Sequence, residues 1–141
     1  MTDRSNPGAA VVRLLESCRE REKEQTLFYR GLAAAAEGAD DPALVDRLND
    51  LHADEQHHLS RLTARILELG DTPADLQRRP EGVPPLDGWE AEAQVREEAE
   101  VAWYESVLEH ALDDTTRAVL EEILAGERQQ VNHLSGKWMS A

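Results

Sequence analysis

Along four stretches of this chain, apolar residues recur at alternating steps of three and four, and each stripe is broken by one glutamate. The first runs Val11, Leu15, Cys18, Glu22, Gln25, Tyr29, Leu32, Ala36, and the second Leu44, Leu48, Leu51, Glu55, His58, Leu62. The third is Glu97, Val101, Tyr104, Leu108, and the fourth Leu120, Leu124, Glu127, Val131, Leu134, Trp138. Such a period belongs to a helix with one face on a core. The stripes therefore predict four helices that each turn a carboxylate inward. With aromatic residues at 4% and few β-branched ones, an all-β fold is excluded.

Punctuation sets the expected boundaries. Asn6-Pro7 opens helix one, which closes at Gly38, and Asp41-Pro42 opens helix two, which runs to Gly70. Asp87 with Glu90 predicts a capping box for helix three, to about Leu112, and the Asp113–Thr116 turn caps a helix four from about Thr115 to Trp138. Between Gly70 and Gly88 stand Pro73, Pro80, Pro84 and Pro85, so this stretch is a loop. Extended, some 18 residues reach about 60 Å, while a helix of 25 to 30 residues is about 40 Å long. The loop is thus long enough to cross the molecule. The prediction is all-α: two antiparallel helical hairpins joined by a crossover at about 70–88, a four-helix bundle over residues 8–138 behind an N-terminal tail, 1–7. A plain up-and-down bundle with a decorated loop shares most of this pattern. A chain of 141 residues suffices for one such core.

Carboxylates at core positions dictate the chemistry. A buried unpaired carboxylate costs several kcal/mol or takes a proton, and four together repel. Two divalent or trivalent cations between them would answer that charge, and carboxylate oxygen with imidazole nitrogen suits iron or manganese. Glu55-Gln-His-His58 is a complete Glu-x-x-His. An internal repeat supports the pattern: Glu22 and Tyr29 are seven apart, as are Glu97 and Tyr104, and Asp41 precedes Glu55 by fourteen as Asp113 precedes Glu127. On helix four, Glu127 with Gln130 fits the apolar phase and the cap spacing, while Gln130 with His133 fits the uniform 75-residue offset from Glu55 and His58. Both registers stand as candidates. Tyr29 and Tyr104 are read as supports that hydrogen-bond a neighbouring carboxylate. Phe28 and Trp103, one residue before each tyrosine, suit a second apolar surface such as a subunit contact.

A formal charge of −14 repels nucleic acid and anionic membranes and concentrates cations. Cys18 is the one cysteine, without a disulfide partner or a CxxC pair. The longest apolar run is Leu32 to Ala36, and MTDRSNPG lacks the apolar stretch of a leader. A cytoplasmic protein without membrane or nucleic-acid partners is expected.

This arrangement resembles the ferritin-like di-iron carboxylate superfamily, which includes bacterioferritin, ferritin and rubrerythrin, over roughly residues 8–138 outside much of the crossover. The resemblance implies two metal ions, iron or else manganese, held by Glu22, Glu55, His58, Glu97 and Glu127, with Gln130 in place of a second histidine. Tyr29 matches a tyrosine often found seven residues after the first ligand. It further implies oxidation of Fe(II) by dioxygen or peroxide, in iron handling or detoxification of oxidants. A di-metal oxidase or hydroxylase acting on an organic substrate, and a non-catalytic helical interaction protein with a degenerate site, are the alternatives. The chain is shorter than cage-forming ferritins, with no fifth helix after Trp138 and no rubredoxin module. A homodimer or small homo-oligomer is expected rather than a shell.

Overall fold

In the computed structural model, which describes residues 7–77, 82 and 84–135, every regular element among the described residues is an α-helix. α1 spans Pro7–Gly38, α2 Pro42–Glu68, α3 Trp89–Val107 and α4 Asp114–Leu134, an all-α arrangement compatible with a four-helix bundle. Asp41 accepts from the Leu44 amide at 3.2 Å and Asp113 from the Thr116 amide at 3.0 Å. Each satisfies an amide that a helix start leaves without a partner.

Several boundaries differ from expectation. Pro7, counted with the tail in the domain bounds but expected as the first helical residue after Asn6, is the first residue of α1. α3 starts at Trp89 after Gly88 in the left-handed region (φ 76°), with no side-chain cap, so Asp87 does not close a capping box. Glu90 and Glu92 instead place negative charge in the first turn, where the helix dipole favours it. α3 also ends at Val107 rather than near Leu112. Arg117 of α4 donates to the carbonyls of Leu108 (3.0 Å) and His110 (3.1 Å), which gives the end of the helix partners without a further turn. α4 closes on Ser135. The expected cap Asn6, the tail residues 1–6 and the stripe residue Trp138 lie outside the described residues.

α1 packs chiefly along α2 and α3 along α4, while α2 also meets α4 and α1 meets α3. Arg65 near the end of α2 reaches Asp113 at the start of α4 (2.8 Å), so these two helices run in opposite directions. The segment after α2 lies against α1. The Ala74 amide donates to Glu16 Oε2 (2.7 Å) and its carbonyl accepts from Arg19 Nη1 (3.0 Å). Further along α1, a Cβ on Gly31 would come within 2.7 Å of Pro84 Cδ, so the connection needs a glycine there.

Two apolar clusters form the core. One gathers Leu15, Leu62, Ile66, Leu120 and Ile123, the other Leu32, Ala36, Leu48, Trp89 and Leu134. On each helix the chain passes from one cluster to the other through buried polar positions: Glu22 on α1, Glu55 and His58 on α2, Glu97 and Glu100 on α3, Glu127 and Gln130 on α4. The fold thus stacks a polar layer between two apolar ones. No helix among the described residues is long and apolar enough to cross a membrane.

Candidate metal centre

Glu22, Glu55, His58 and Glu127 each bring one ligand atom within 4.8 Å of the others. His58 Nδ1 lies 2.7 Å from Glu127 Oε1, 3.3 Å from Glu55 Oε1 and 3.6 Å from Glu22 Oε1. The spacing of three residues puts Glu55 and His58 on one face of α2. All three carboxylates are fully buried. Apart from the close approach of His58 Nδ1 to Glu127 Oε1, the oxygens Glu22 Oε1 and both of Glu55 and of Glu127 have no hydrogen-bonding partner. Buried polar atoms are normally bonded, and so many orphaned acceptors in one space fit a cation. Oxygen with imidazole nitrogen is a donor set that iron or manganese accepts.

The protonation of the cluster points the same way. Burial alone would lower the His58 pKa, but Glu127, Glu22 and Glu55 around the ring outweigh it and push it up to about 12. Burial, reinforced by the charge of Glu22, pushes Glu55 up, and burial with the charge of Glu55 pushes Glu127 up. Without a metal, the imidazolium and retained carboxyl protons supply the positive charge that the acids require. A metal ion would displace those protons.

Glu97 on α3 is fully buried but stands outside the group of four. Its Oε2 accepts from the Tyr29 hydroxyl at 2.7 Å, and its Oε1 has no hydrogen-bonding partner. Burial and the neighbouring Glu127 push Glu97 up to about 11. The mirror contact is Tyr104, whose hydroxyl donates to Glu22 Oε2 at 2.6 Å. The repeated Glu…Tyr spacing is therefore a crossed pair: each tyrosine bonds the glutamate of the other helix. Burial, then the adjacent glutamate, pushes both phenols above their ordinary range, so both stay donors.

On α4 the structure brings in Glu127 and leaves out His133, which is exposed in the last turn. Six residues turn a helix by about 240°, so His133 cannot share the direction of Glu127. The 75-residue offset that relates Tyr29 to Tyr104 shortens to 72 between Asp41 and Asp113, because nine residues rather than twelve separate tyrosine from cap in the second half. The cap offset of 72 pairs Glu55 with Glu127, two of the acids that converge here. Gln130 is buried, with Nε2 donating to Asp54 Oδ2 at 3.2 Å.

Other features lie outside the reach of apolar periodicity. Glu100 is buried, but Arg21 grips it at 2.8 and 3.3 Å, so its charge is answered within the protein. Val101, Leu108 and Val131, expected in the core, are only half-buried, and Val107, Ile123 and Gln130 are buried beside them. Phe28 and Trp103 do not form a bare patch: Arg96 of α3 covers the Phe28 ring at 4.0 Å, and Arg21 of α1 covers Trp103 at 4.9 Å. Cys18 is a buried thiol that accepts from Trp103 Nε1 at 3.4 Å, and burial pushes it up to about 12.

Gly126 is another. A Cβ there would lie 2.8 Å from His58 Nε2 and 3.2 Å from Cε1, so the imidazole occupies space that only glycine leaves open. Gly126→Ala should improve helix propensity by about 1 kcal/mol yet push the ring off the carboxylates. We expect unchanged helicity by circular dichroism and about tenfold weaker metal binding by titration. Unaltered affinity would remove His58 from the ligands.

The chain has no match among family models or curated proteins, so its functional reading rests on these distances, burials and charges.

Proposed function

We propose that the chain is a ferritin-like four-helix bundle, two antiparallel hairpins joined by a crossover, that binds two metal ions and oxidises Fe(II) with dioxygen or peroxide. Iron is the metal of choice, with manganese the alternative. The observation that carries this reading is the convergence of Glu22, Glu55, His58 and Glu127, buried and with orphaned ligand atoms, between two apolar clusters. Glu97, one layer neighbour away, supplies a fifth group for the second ion.

Two Fe(II) ions give up one electron each, and dioxygen takes both with two protons to leave hydrogen peroxide. With peroxide as oxidant, the same electrons and protons yield two waters. The chain's own part is to hold both ions together, so that the oxidant need not take electrons singly and release radicals. Tyr29 and Tyr104 fix Glu97 and Glu22 by their hydrogen bonds, and the apolar clusters on either side limit water. An organic substrate would need a cavity reaching these residues. The surface groove lined by Glu98, Val101, Arg128, Val131 and Asn132 includes none of them.

Anaerobic loading with Fe(II) should give close to two irons per chain by elemental analysis, and admission of oxygen or peroxide should oxidise them. Failure to bind iron or manganese at neutral pH would leave a helical interaction protein as the better reading. Light scattering should show a homodimer or small oligomer, and a hollow shell would contradict that part.

A further inference from the structure

The two halves of the cluster differ at one pair of matched positions. At the offset of 72 that superposes the caps, Glu55 matches Glu127, His58 matches Gln130, and Asp54 matches Gly126. His58 lies over Gly126 with its Nε2 against the backbone. Gln130 lies beside Asp54, and its Nε2 donates to Asp54 Oδ2 at 3.2 Å. Gln130 is 4% exposed, and its Oε1 is buried without a hydrogen-bonding partner.

A carboxamide alone has no preferred sense, since its oxygen and nitrogen ends are nearly the same shape. A cation rejects one end and binds the other. A carboxylate only accepts, so Asp54 can hold the amide in one sense alone, with the NH₂ outward and the oxygen turned toward the interior. An imidazole needs no such device, because the ring itself is fixed by packing over Gly126.

We propose that Asp54 is a positioning residue that aims the Gln130 carbonyl oxygen into the cluster, completing an all-oxygen cation position with Glu97 and Glu127, distinct from the position that uses His58. This rests on the reading of the cluster as a metal centre. The oxygen-only position suits a hard divalent cation and binds it more weakly than the one with imidazole. Asp54 is exposed at the surface of α2, so its replacement leaves the core intact.

Mn(II) titration, followed by the loss of the free-ion paramagnetic signal, tests this on the whole chain. Wild type should take up two ions in two phases. Asp54→Ala should leave the first phase and weaken the second about tenfold or more. Asp54→Asn, whose side-chain oxygen still accepts from the amide, should restore the second phase to within about threefold. Asp50→Ala, which removes the same charge from an exposed position one turn away on α2, should change neither phase. Adding Asp54→Ala to Gln130→Ala should cost nothing further, as expected of residues acting through one contact. An unchanged second phase in Asp54→Ala, or an equal loss in Asp50→Ala, would overturn the role of Asp54 while leaving the metal centre standing. Uptake of one ion only would remove the second position, and no uptake by wild type would overturn both readings.

Discussion

Without metal, the protein should melt at a higher temperature at pH 5 than at pH 8.5, the reverse of what a domain stabilised by surface ion pairs would do. His58 is pushed from an ordinary value of 6.5 to about 12, and Glu97 from 4.5 to about 11. For both, the folded value lies above the unfolded one. Between those limits the native state holds protons that the unfolded chain has lost, so stability falls as pH rises. The contribution of His58 is complete below pH 6.5 and declines above it, and that of Glu97 declines from about pH 4.5 upward. Each retained proton is worth about 1.4 kcal/mol per pH unit. From pH 5 to 8.5 the loss therefore amounts to several kcal/mol, enough to lower the melting temperature by well over 10 °C. Adding Mn(II) should reverse the order. Protons compete with the cation for the same atoms, so the metal should raise the melting temperature far more at pH 8.5, and its binding should acidify a weakly buffered solution. Scanning calorimetry at both pH values, with and without metal, measures all of this. A melting temperature indifferent to pH, or raised equally by metal at both values, would mean that the cluster neither stores protons nor exchanges them for a cation.

This dependence follows from a layer that the sequence displayed openly on three helices. Every position of the α1 stripe proved buried, and the i, i+3 pair of Glu55 and His58 faces inward as its apolar neighbours required. Helical phase is strict on a long straight helix, so a glutamate between leucines at core spacing could point nowhere else. α3 was harder to read, since Glu97, Glu98 and Glu100 crowd one turn and its stripe is short. Glu97 is buried with an orphaned oxygen, Glu98 is exposed, and Glu100 is buried but neutralised by Arg21 across the helix interface. No periodicity distinguishes the second acid from the first, because the difference is a partner on another helix.

Non-local contacts account for the remainder that sequence could not supply. The crossing of the tyrosines to opposite glutamates is a property of two helices packed together, although the equal Glu…Tyr spacings hinted at a symmetric arrangement. By helix propensity alone Gly126 is a weak point, at a cost of about 1 kcal/mol relative to alanine. Its use is visible only with the His58 ring against it. Arg117 ended α3 early by reaching back to carbonyls seven and nine residues before it, a contact that apolar periodicity does not encode.

Glu55→Gln should make the metal-free protein more stable while abolishing the stabilisation that metal confers. Burial and the charge of Glu22 both press Glu55 toward its protonated form, so the ionised carboxylate is a liability to the fold. Glutamine has nearly the same volume and leaves no cavity, and its amide can donate to the unpartnered oxygens of Glu22 and Glu127. Above about pH 8, where Glu55 would otherwise ionise, replacing a repelled buried charge in this way is expected to raise stability by about 1–2 kcal/mol, within the range seen when buried ions give way to neutral groups. As a ligand, the same amide offers one neutral oxygen where two charged ones stood, so metal affinity should fall by a hundredfold or more. Leu62→Ala, in the apolar cluster beside the polar layer, should behave oppositely. It should cost about 2–5 kcal/mol through the cavity it opens, yet preserve a rise in melting temperature on adding Mn(II), since every ligand atom is kept. Thermal melts of the two variants with and without Mn(II) separate a residue retained for the fold from one retained at the expense of the fold. If Glu55→Gln instead lowered the metal-free melting temperature and still responded to Mn(II) as wild type does, Glu55 would be a structural acid held by its neighbours, and α2 would present His58 alone to the metal.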